Sequence, residues 1–253
     1  MTNGNLKSLQ KTINIIDCLA EMGEMGVTEL SRHFDISKSN VYNILNTLLC
    51  NRWVEKNEDN NKYKLGLRIY ELGNIVRDGL KLREIAKPYM EKLVDKVEET
   101  VHLTVMEEMM VVYIETATPH NKFSISSLKD HRVYMHCTGV GKAIMAFLSE
   151  EKIDEIILEK GLPKFTSNTI TDPKKLKSDL AKIKKRGYSI DNIEHEPGVR
   201  CVGAPIFNSK GKAFASMSIT GPSPRFNKKN IEEYSIILKN YTKEISKKLG
   251  WKK

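Results

Sequence analysis

Residues 27–49 read VTELSRHFDISKSNVYNILNTLL, and the reading of this stretch decides the fold of the first third of the chain. Val27, Leu30, Phe34 and Ile36 form one apolar set; Val41, Ile44, Leu45 and Leu48 form a second at helical spacing. Two short helices are expected, with Thr28 placed to cap the first and Ser37 the second. The turn Phe34-Asp35-Ile36-Ser37 keeps an apolar residue for the interior. The outer face of the second helix carries Lys38, Ser39, Asn40, Tyr42, Asn43, Asn46 and Thr47. Short polar side chains with one cation and one aromatic suit hydrogen bonding to base edges and phosphates in a major groove. The pattern is that of a helix-turn-helix whose second helix enters double-stranded DNA. A helical hairpin in an ordinary core has the same periodicity and is the alternative.

The flanking residues extend this unit. Leu9 to Met22 is expected as a first helix, with Leu9, Ile13, Ile16 and Ala20 on one stripe and Gly23 and Gly26 ending it. After Leu49, Trp53 to Lys56 and Lys62 to Gly66 flank the polar turn 57–61, a β-hairpin signal. Three helices followed by a hairpin make a winged helix. Lys62 and Lys64, near the tip of the wing, are placed to touch phosphate or the minor groove. Leu67 to Asp78 reads as a helical linker with Ile69, Leu72, Ile75 and Val76 apolar. Homodimerisation through that surface is the functional expectation, and packing on its own domain the alternative. The expected organisation is a DNA-binding domain over 1–66, a linker over 67–81 and a second domain over 82–253.

Composition sets the frame. The 253 residues suffice for two modest domains, each with its own core. Hydrophobic content of 40% with 29% charged residues points to a soluble globular protein. The longest apolar runs, such as Met109 to Ile114, are too short to span a bilayer, and MTNGNLKSLQ lacks a signal-peptide core, so a cytoplasmic location is expected. Cys18, Cys50, Cys137 and Cys201 lie far apart with no CxxC pair, which favours reduced thiols over a zinc cluster. Net charge is +9, but residues 1–80 hold ten Lys plus Arg against ten Asp plus Glu. The excess sits at 174–186 and 228–253, where a solvated helix face is the expected reading. DNA binding therefore rests on placement: Lys38, Arg52, Lys56, Lys62 and Lys64 toward phosphates, Asp17 and Glu21 away.

From Leu82 the pattern changes. A helix is expected to Glu98, with Ile85, Tyr89, Leu93 and Val97 on one face. Short alternating strands follow at Val101–Met106, Val111–Glu115, Phe123–Leu128 and Val133–Met135, with Glu107-Glu108 as the first turn. His136-Cys137-Thr138-Gly139-Val140-Gly141-Lys142-Ala143 opens a helix to Leu148. Helices then run over Glu151–Glu159 and Pro173–Arg186, the latter capped by Asp172. Strands return at Tyr188–Ile193, Val199–Phe207 and Ala213–Thr220, and a last helix covers Lys228–Leu249. This is an α+β arrangement, an antiparallel sheet flanked by helices.

Four stretches, VTELSRHFDISKSNVYNILNTL, KYKLGLRIYELG, MHCTGVGKAIMAFL and RGYSIDNIEHEPGVRCVGAPIFNSKGKAFASMSITGP, resemble the IclR family of bacterial transcriptional regulators. The resemblance covers nearly the whole chain. It implies a regulator of a catabolic operon, with repression preferred to activation. It also implies a GAF/profilin-like effector domain, dimers that often pair into tetramers on palindromic operators, and no cofactor. The ending PRFNKKNIEEYSIILKNYTKEISKKLGW is similar to the sugar-acid-responsive KdgR type. Two departures stand out. Asn43 replaces a usual Arg or Lys, which favours adenine over guanine, and Tyr134-Met135 replaces Pro-Leu.

Three features converge on a sensor pocket. Gly139-Val140-Gly141 sits where a helix starts, so free N–H groups favour an anion. Ser218 and Thr220 lie two apart on a strand and face one side. Asp191 and Cys201 lie on neighbouring strand segments. The resemblance places Asp191, Cys201, Ser218 and the Gly139-Val140 backbone at the effector site, with Thr220 in place of a serine. A small carboxylate or sugar acid would fit. Rival readings are weaker. Gly141-Lys142 fails the phosphate-loop pattern, because His136 and Ala143 stand where a Gly and a hydroxyl are needed. Cys201 with His195 and Asp191 could form a thiol triad, but nothing supplies an oxyanion hole, so an enzyme is not expected. Glu194, His195 and Glu196 could hold a metal, an exposed turn being preferred. His33, His102, His120 and His131 are scattered and carry no signal. A sensor acting through protein partners is a further alternative, against which the winged helix argues.

Overall fold

The computed structural model describes residues 6–78, 80–119 and 132–252. The expected strand at 123–128 and the residues His120 and His131 lie outside the described residues. The chain divides into two compact units, Met1–Gly79 and Leu80–Lys253.

The first unit opens with α1 (Lys7–Met22), α2 (Val27–Phe34) and α3 (Lys38–Cys50), followed by β1 (Val54–Asn57), β2 (Lys62–Leu65) and α4 (Leu67–Asp78). Its core gathers Ile15, Cys18, Leu19, Leu30, Val41, Leu45, Leu48, Val54 and Tyr63. Two details differ from the sequence reading. The first helix of the motif is capped not by Thr28 but by a capping box. Gly26 is the N-cap, and its amide donates to Glu29 Oε2 at 2.7 Å. Thr28 lies one residue inside the helix. In α1 the buried stripe is Ile15, Cys18 and Leu19, while Leu9, Ile13 and Ala20 are exposed. The helix carries two apolar stripes about half a turn apart, and periodicity alone cannot say which one meets the core. Ser37 does cap α3, accepting from the Asn40 amide at 3.4 Å.

The turn between α2 and α3 is stabilised by local polar contacts. Asp35 takes left-handed backbone with φ of 49°, a conformation Asp tolerates better than most residues. Ser31 Oγ donates to the Ile36 carbonyl at 2.6 Å. Ile36 is thereby turned onto the core. β1 and β2 pair antiparallel around residues 58–61, and Met25 bridges to Tyr63.

The second unit holds α5 (Lys81–Val97), β3 (Thr100–Glu107), β4 (Met110–Ala117), β5 (Arg132–Val133), α6 (Gly139–Met145), α7 (Glu150–Lys160), α8 (Pro173–Arg186), β6 (Ser189–Asn192), β7 (Val199–Phe207), β8 (Ala213–Pro222) and α9 (Lys228–Lys248). The strands form one antiparallel sheet in the order β5-β4-β3-β8-β7-β6. The first turn falls on Glu108 and Met109, both at positive φ, one residue beyond the expected Glu107-Glu108. Asp172 caps α8 through the Lys175 amide at 2.8 Å.

The two faces of this sheet differ in chemistry because side chains alternate along each strand. Val101, Leu103, Val202, Ala204, Ile206, Ala215, Met217 and Ile219 point one way and join Leu82, Ala86, Met90, Leu93, Leu238 and Ile245 of α5 and α9 in one core. The residues between them, including Thr100, His102, Thr104, Ser216, Ser218 and Thr220, point the other way and are also buried. A second apolar core, built from α6, α7, α8, Val111, Val133 and Ala213, covers part of that side.

Candidate functional site

In the first unit the outer face of α3 is solvent-facing. Lys38, Ser39, Asn40, Tyr42, Asn43, Asn46 and Thr47 are all exposed, while Val41, Leu45 and Leu48 are buried. A rigid helix with a buried apolar stripe thus presents a row of short polar side chains outward. Ser37 and Ser39 hydroxyls approach at 3.2 Å, and Thr47 Oγ1 donates to its own helix at the Asn43 carbonyl. The surrounding cations are not idle. Lys62 Nζ lies 2.9 Å from Glu29, Lys64 3.7 Å from Glu55, Lys56 4.0 Å from Glu58 and Arg52 3.9 Å from Glu71. Exposed pairs of this kind hold only about 0–1 kcal/mol, so a phosphate can displace the carboxylate. Lys38 has no carboxylate within ion-pair distance among the described residues.

In the second unit the register brings the remaining candidates together. Asp191 pairs with Cys201, Cys201 with Thr220, Ser218 with both Gly203 and His102, and His102 with Thr116. Their side chains therefore lie on the polar face in two adjacent rows, Asp191-Cys201-Thr220 and Ser218-His102-Thr116. Thr220 Oγ1 donates to Cys201 Sγ at 3.2 Å, and the Ser218 and Thr220 hydroxyls stand 3.4 Å apart. Lower on the same face, hydroxyls hold α6 against the sheet. Ser216 Oγ donates to the Val140 carbonyl at 2.9 Å and accepts from Thr104 Oγ1 at 2.8 Å, and Ser189 Oγ donates to the Gly139 carbonyl. Thr138 caps α6 by accepting from the Gly141 amide at 3.1 Å. The Gly139 and Val140 amides, in the first turn, are left without an intrahelical acceptor.

Electrostatics separates the groups further. Burial raises Asp191 to about 7, an effect reinforced by Glu194 and opposed by the Glu194 amide, which donates to Oδ1 at 2.7 Å, and by Lys142. Burial lowers His102 to about 4, so its ring is neutral and its Nδ1 meets Thr116 Oγ1 at 3.1 Å. Burial also pushes the Cys201 and Cys137 thiols up, with Asp191 adding to both. Burial thus favours the neutral thiol over the thiolate at both positions. The histidine and the lower hydroxyls were not expected from sequence. The signal for them was the matched alternation of T-V-H-L-T in β3 and S-M-S-I-T in β8.

Glu194 departs from the exposed-turn reading. It is buried, and Lys142 Nζ reaches it at 2.6 Å and Asp179 at 3.0 Å, with the lysine side chain 1% exposed. Among the described residues no group of three or more His, Cys, Asp or Glu is placed to hold a metal, and no helix is long and apolar enough to cross a membrane. The four cysteines are free thiols.

Comparison with known proteins joins the two units to one family. A model of the bacterial transcriptional regulator IclR C-terminal domain matches residues 75–247, and one of the IclR helix-turn-helix domain matches residues 8–58. The HTH-type transcriptional regulator KdgR of Dickeya chrysanthemi is 32% identical over 98% of this chain and 81% of its own. The crystal structure of the Thermotoga maritima IclR superposes with a TM-score of 0.78 at 35% identity, covering 98% of this chain and all of that one. An IclR homologue from Microbacterium hydrocarbonoxydans, solved with 4-hydroxybenzoate, shares the fold with a TM-score of 0.81 at 24% identity over 96% of this chain and 99% of that one. With an exposed polar recognition helix in one unit and a buried polar sheet face in the other, the chain belongs to the IclR family of DNA-binding transcriptional regulators.

Proposed function

We propose that the chain represses a catabolic operon from the cytoplasm and releases its palindromic operator when a small carboxylate or sugar acid occupies the polar sheet face. In this reading Lys38, Ser39, Asn40, Tyr42 and Asn43 read the major groove, and Thr28 and Ser37, at the starts of the two helices, contact the DNA backbone. Lys62 and Lys64 exchange their carboxylates for phosphate. In the sensor, the Gly139 and Val140 amides and the Ser218 and Thr220 hydroxyls donate to the ligand carboxylate. Asp191 accepts from its hydroxyls, and Cys201 forms a wall.

One observation carries the sensor reading: two adjacent rows of buried polar side chains lie on the sheet where an apolar core would pack more cheaply. The bound acid of the Microbacterium protein supports the ligand class. A homodimer fits the apolar surface left outside the first core, namely Leu9 and Ile13 on α1 and Leu67, Tyr70, Ile75 and Val76 on α4, all exposed. Pairs of dimers on two half-sites would make a tetramer.

The test is a titration of operator release with a panel of keto, hydroxy and sugar acids. Ser218→Ala is expected to leave operator affinity unchanged and to weaken the ligand response about tenfold, the usual cost of one hydrogen bond to a charged group. Because Asp191 is neutral below about 7, an anionic ligand meets no like charge there. Its affinity should fall as pH rises from 6 to 8, and Asp191→Asn should flatten that dependence. The folded state is also the proton-rich one, so the contribution of Asp191 to stability declines as pH rises from about 4 to about 7. A Ser218→Ala protein that loses DNA while keeping normal ligand affinity contradicts the assignment.

A further inference from the structure

A second concave site lies in the effector unit and shares no residue with the candidate sensor site at Gly139, Val140, Asp191, Cys201, Ser218 and Thr220. It is a groove of about 750 Å³ between the end of α8, the β7–β8 turn, the middle of α9 and the residues after it. Its rim carries Lys184, Lys210, Lys239, Lys243 and Lys252, and among the described residues no Asp or Glu lines it. Elsewhere in this unit lysines stand beside acids: Lys142 with Glu194, Lys177 with Asp154, and Lys247 with Glu244 on the same α9. The five groove lysines form none of the ion pairs found among the described residues. Lys239 Nζ instead donates to the Arg186 carbonyl at 3.2 Å, at the negative end of α8.

The five lysines come from four places, namely α8, the β7–β8 turn, one turn of α9 and the residues after it, and an anion among them would offset their like charge. The wall behind them is aromatic. Trp251 stacks on Phe207 with ring centres 4.8 Å apart and planes 16° apart, and Phe147 meets Phe207 edge-on at 5.2 Å. Phe207 covers one face of the indole, and the half-buried remainder lines the groove. Gly187, at φ of 80°, leaves room for the Lys239 stem, which a Cβ would approach to 3.3 Å.

A planar ring against the indole with several negative charges among the lysines is the complement of this surface. We propose that the groove binds a nucleoside polyphosphate, the base on Trp251 and the phosphates on Lys239, Lys243 and Lys210. The volume is that of a small-molecule site. A nucleic-acid strand would need a longer track of alternating aromatic and basic residues.

The test is calorimetric titration of the full-length chain with ATP and GTP at about 150 mM salt, where exposed charge pairs are screened beyond about 8 Å. At least one triphosphate should bind saturably. AMP and tripolyphosphate should bind at least about tenfold more weakly, since each gives up one half of the recognition. Lys243→Glu should weaken the triphosphate about tenfold with thermal melting unchanged, and Trp251→Ala should weaken it by a similar factor. Should Lys243→Glu shift melting, Lys210→Glu, in an exposed turn, makes the same comparison. Absence of saturable binding overturns the proposal. So does tripolyphosphate binding as tightly as the nucleotide, which would mark a mere counter-ion surface. Displacement of bound ATP by a non-operator duplex at equal phosphate concentration would overturn it in favour of nucleic acid.

Discussion

Lys142→Met is expected to destabilise the effector unit by about 3–5 kcal/mol, the usual cost of removing one partner from a buried ion pair. The lysine is 1% exposed and bridges Glu194 and Asp179 from within α6. Glu194 is already raised by burial and held down chiefly by Lys142. Its second oxygen, Oε2, is buried without a hydrogen-bond partner. Without the ammonium, the folded protein must either keep a bare carboxylate inside or take up a proton. The sign follows: a carboxyl whose folded pKa rises loses stability as pH increases from its unfolded value near 4.3. The defect should therefore be largest at pH 8 and shrink toward pH 5. Urea unfolding followed at both pH values checks this, and Lys142→Met combined with Glu194→Gln should recover part of the loss. Equal stability of wild type and Lys142→Met at pH 8 would show the pair to be dispensable.

Gly203→Ala is expected to disable the sensor while leaving the recognition helix intact. A Cβ at Gly203 would stand 2.4 Å from the Gly139 carbonyl oxygen and 2.7 Å from Ser189 Oγ. Both are backbone or short, tightly held groups, so α6 itself must move. The facing side is equally close, because a Cβ at Gly141 would meet Met135 Cα at 2.4 Å. Overpacking of this kind costs about 1–3 kcal/mol. It also carries the Gly139 and Val140 amides away from Ser218 and Asp191. Ligand affinity should fall at least about tenfold, the cost of removing one charged hydrogen bond, and operator affinity without ligand should stay unchanged. Calorimetry with the responding acid and anisotropy on labelled operator measure the two halves separately.

The parts of this protein that sequence made legible are those governed by period. Val41, Leu45 and Leu48 fixed which face of α3 is inward, and so which side chains meet solvent. Ser218 and Thr220 were legible for the same reason on a strand. What escaped were choices made by tertiary contact. The core took the Ile15–Leu19 stripe of α1 over Leu9 and Ile13, although both are apolar. Gly26 with Glu29 capped α2 in place of Thr28, since a Glu three residues on can reach back to an amide that a hydroxyl one residue inside cannot. Glu194 looked like a turn residue until Lys142, 52 positions away, supplied its partner. His102 was one scattered histidine until the β3–β8 register set it beside Ser218.

The most direct measurement is an anisotropy titration of the protein on a labelled duplex from its own upstream region. It compares wild type with Asn40→Ala/Asn43→Ala at one salt concentration. Removing a side chain that reads a base edge costs about 1–3 kcal/mol, so the double substitution should lower affinity about 100-fold, to the level seen on unrelated DNA, with folding unchanged. Undiminished affinity and sequence preference in that variant would mean that the exposed face of α3 does not read the operator.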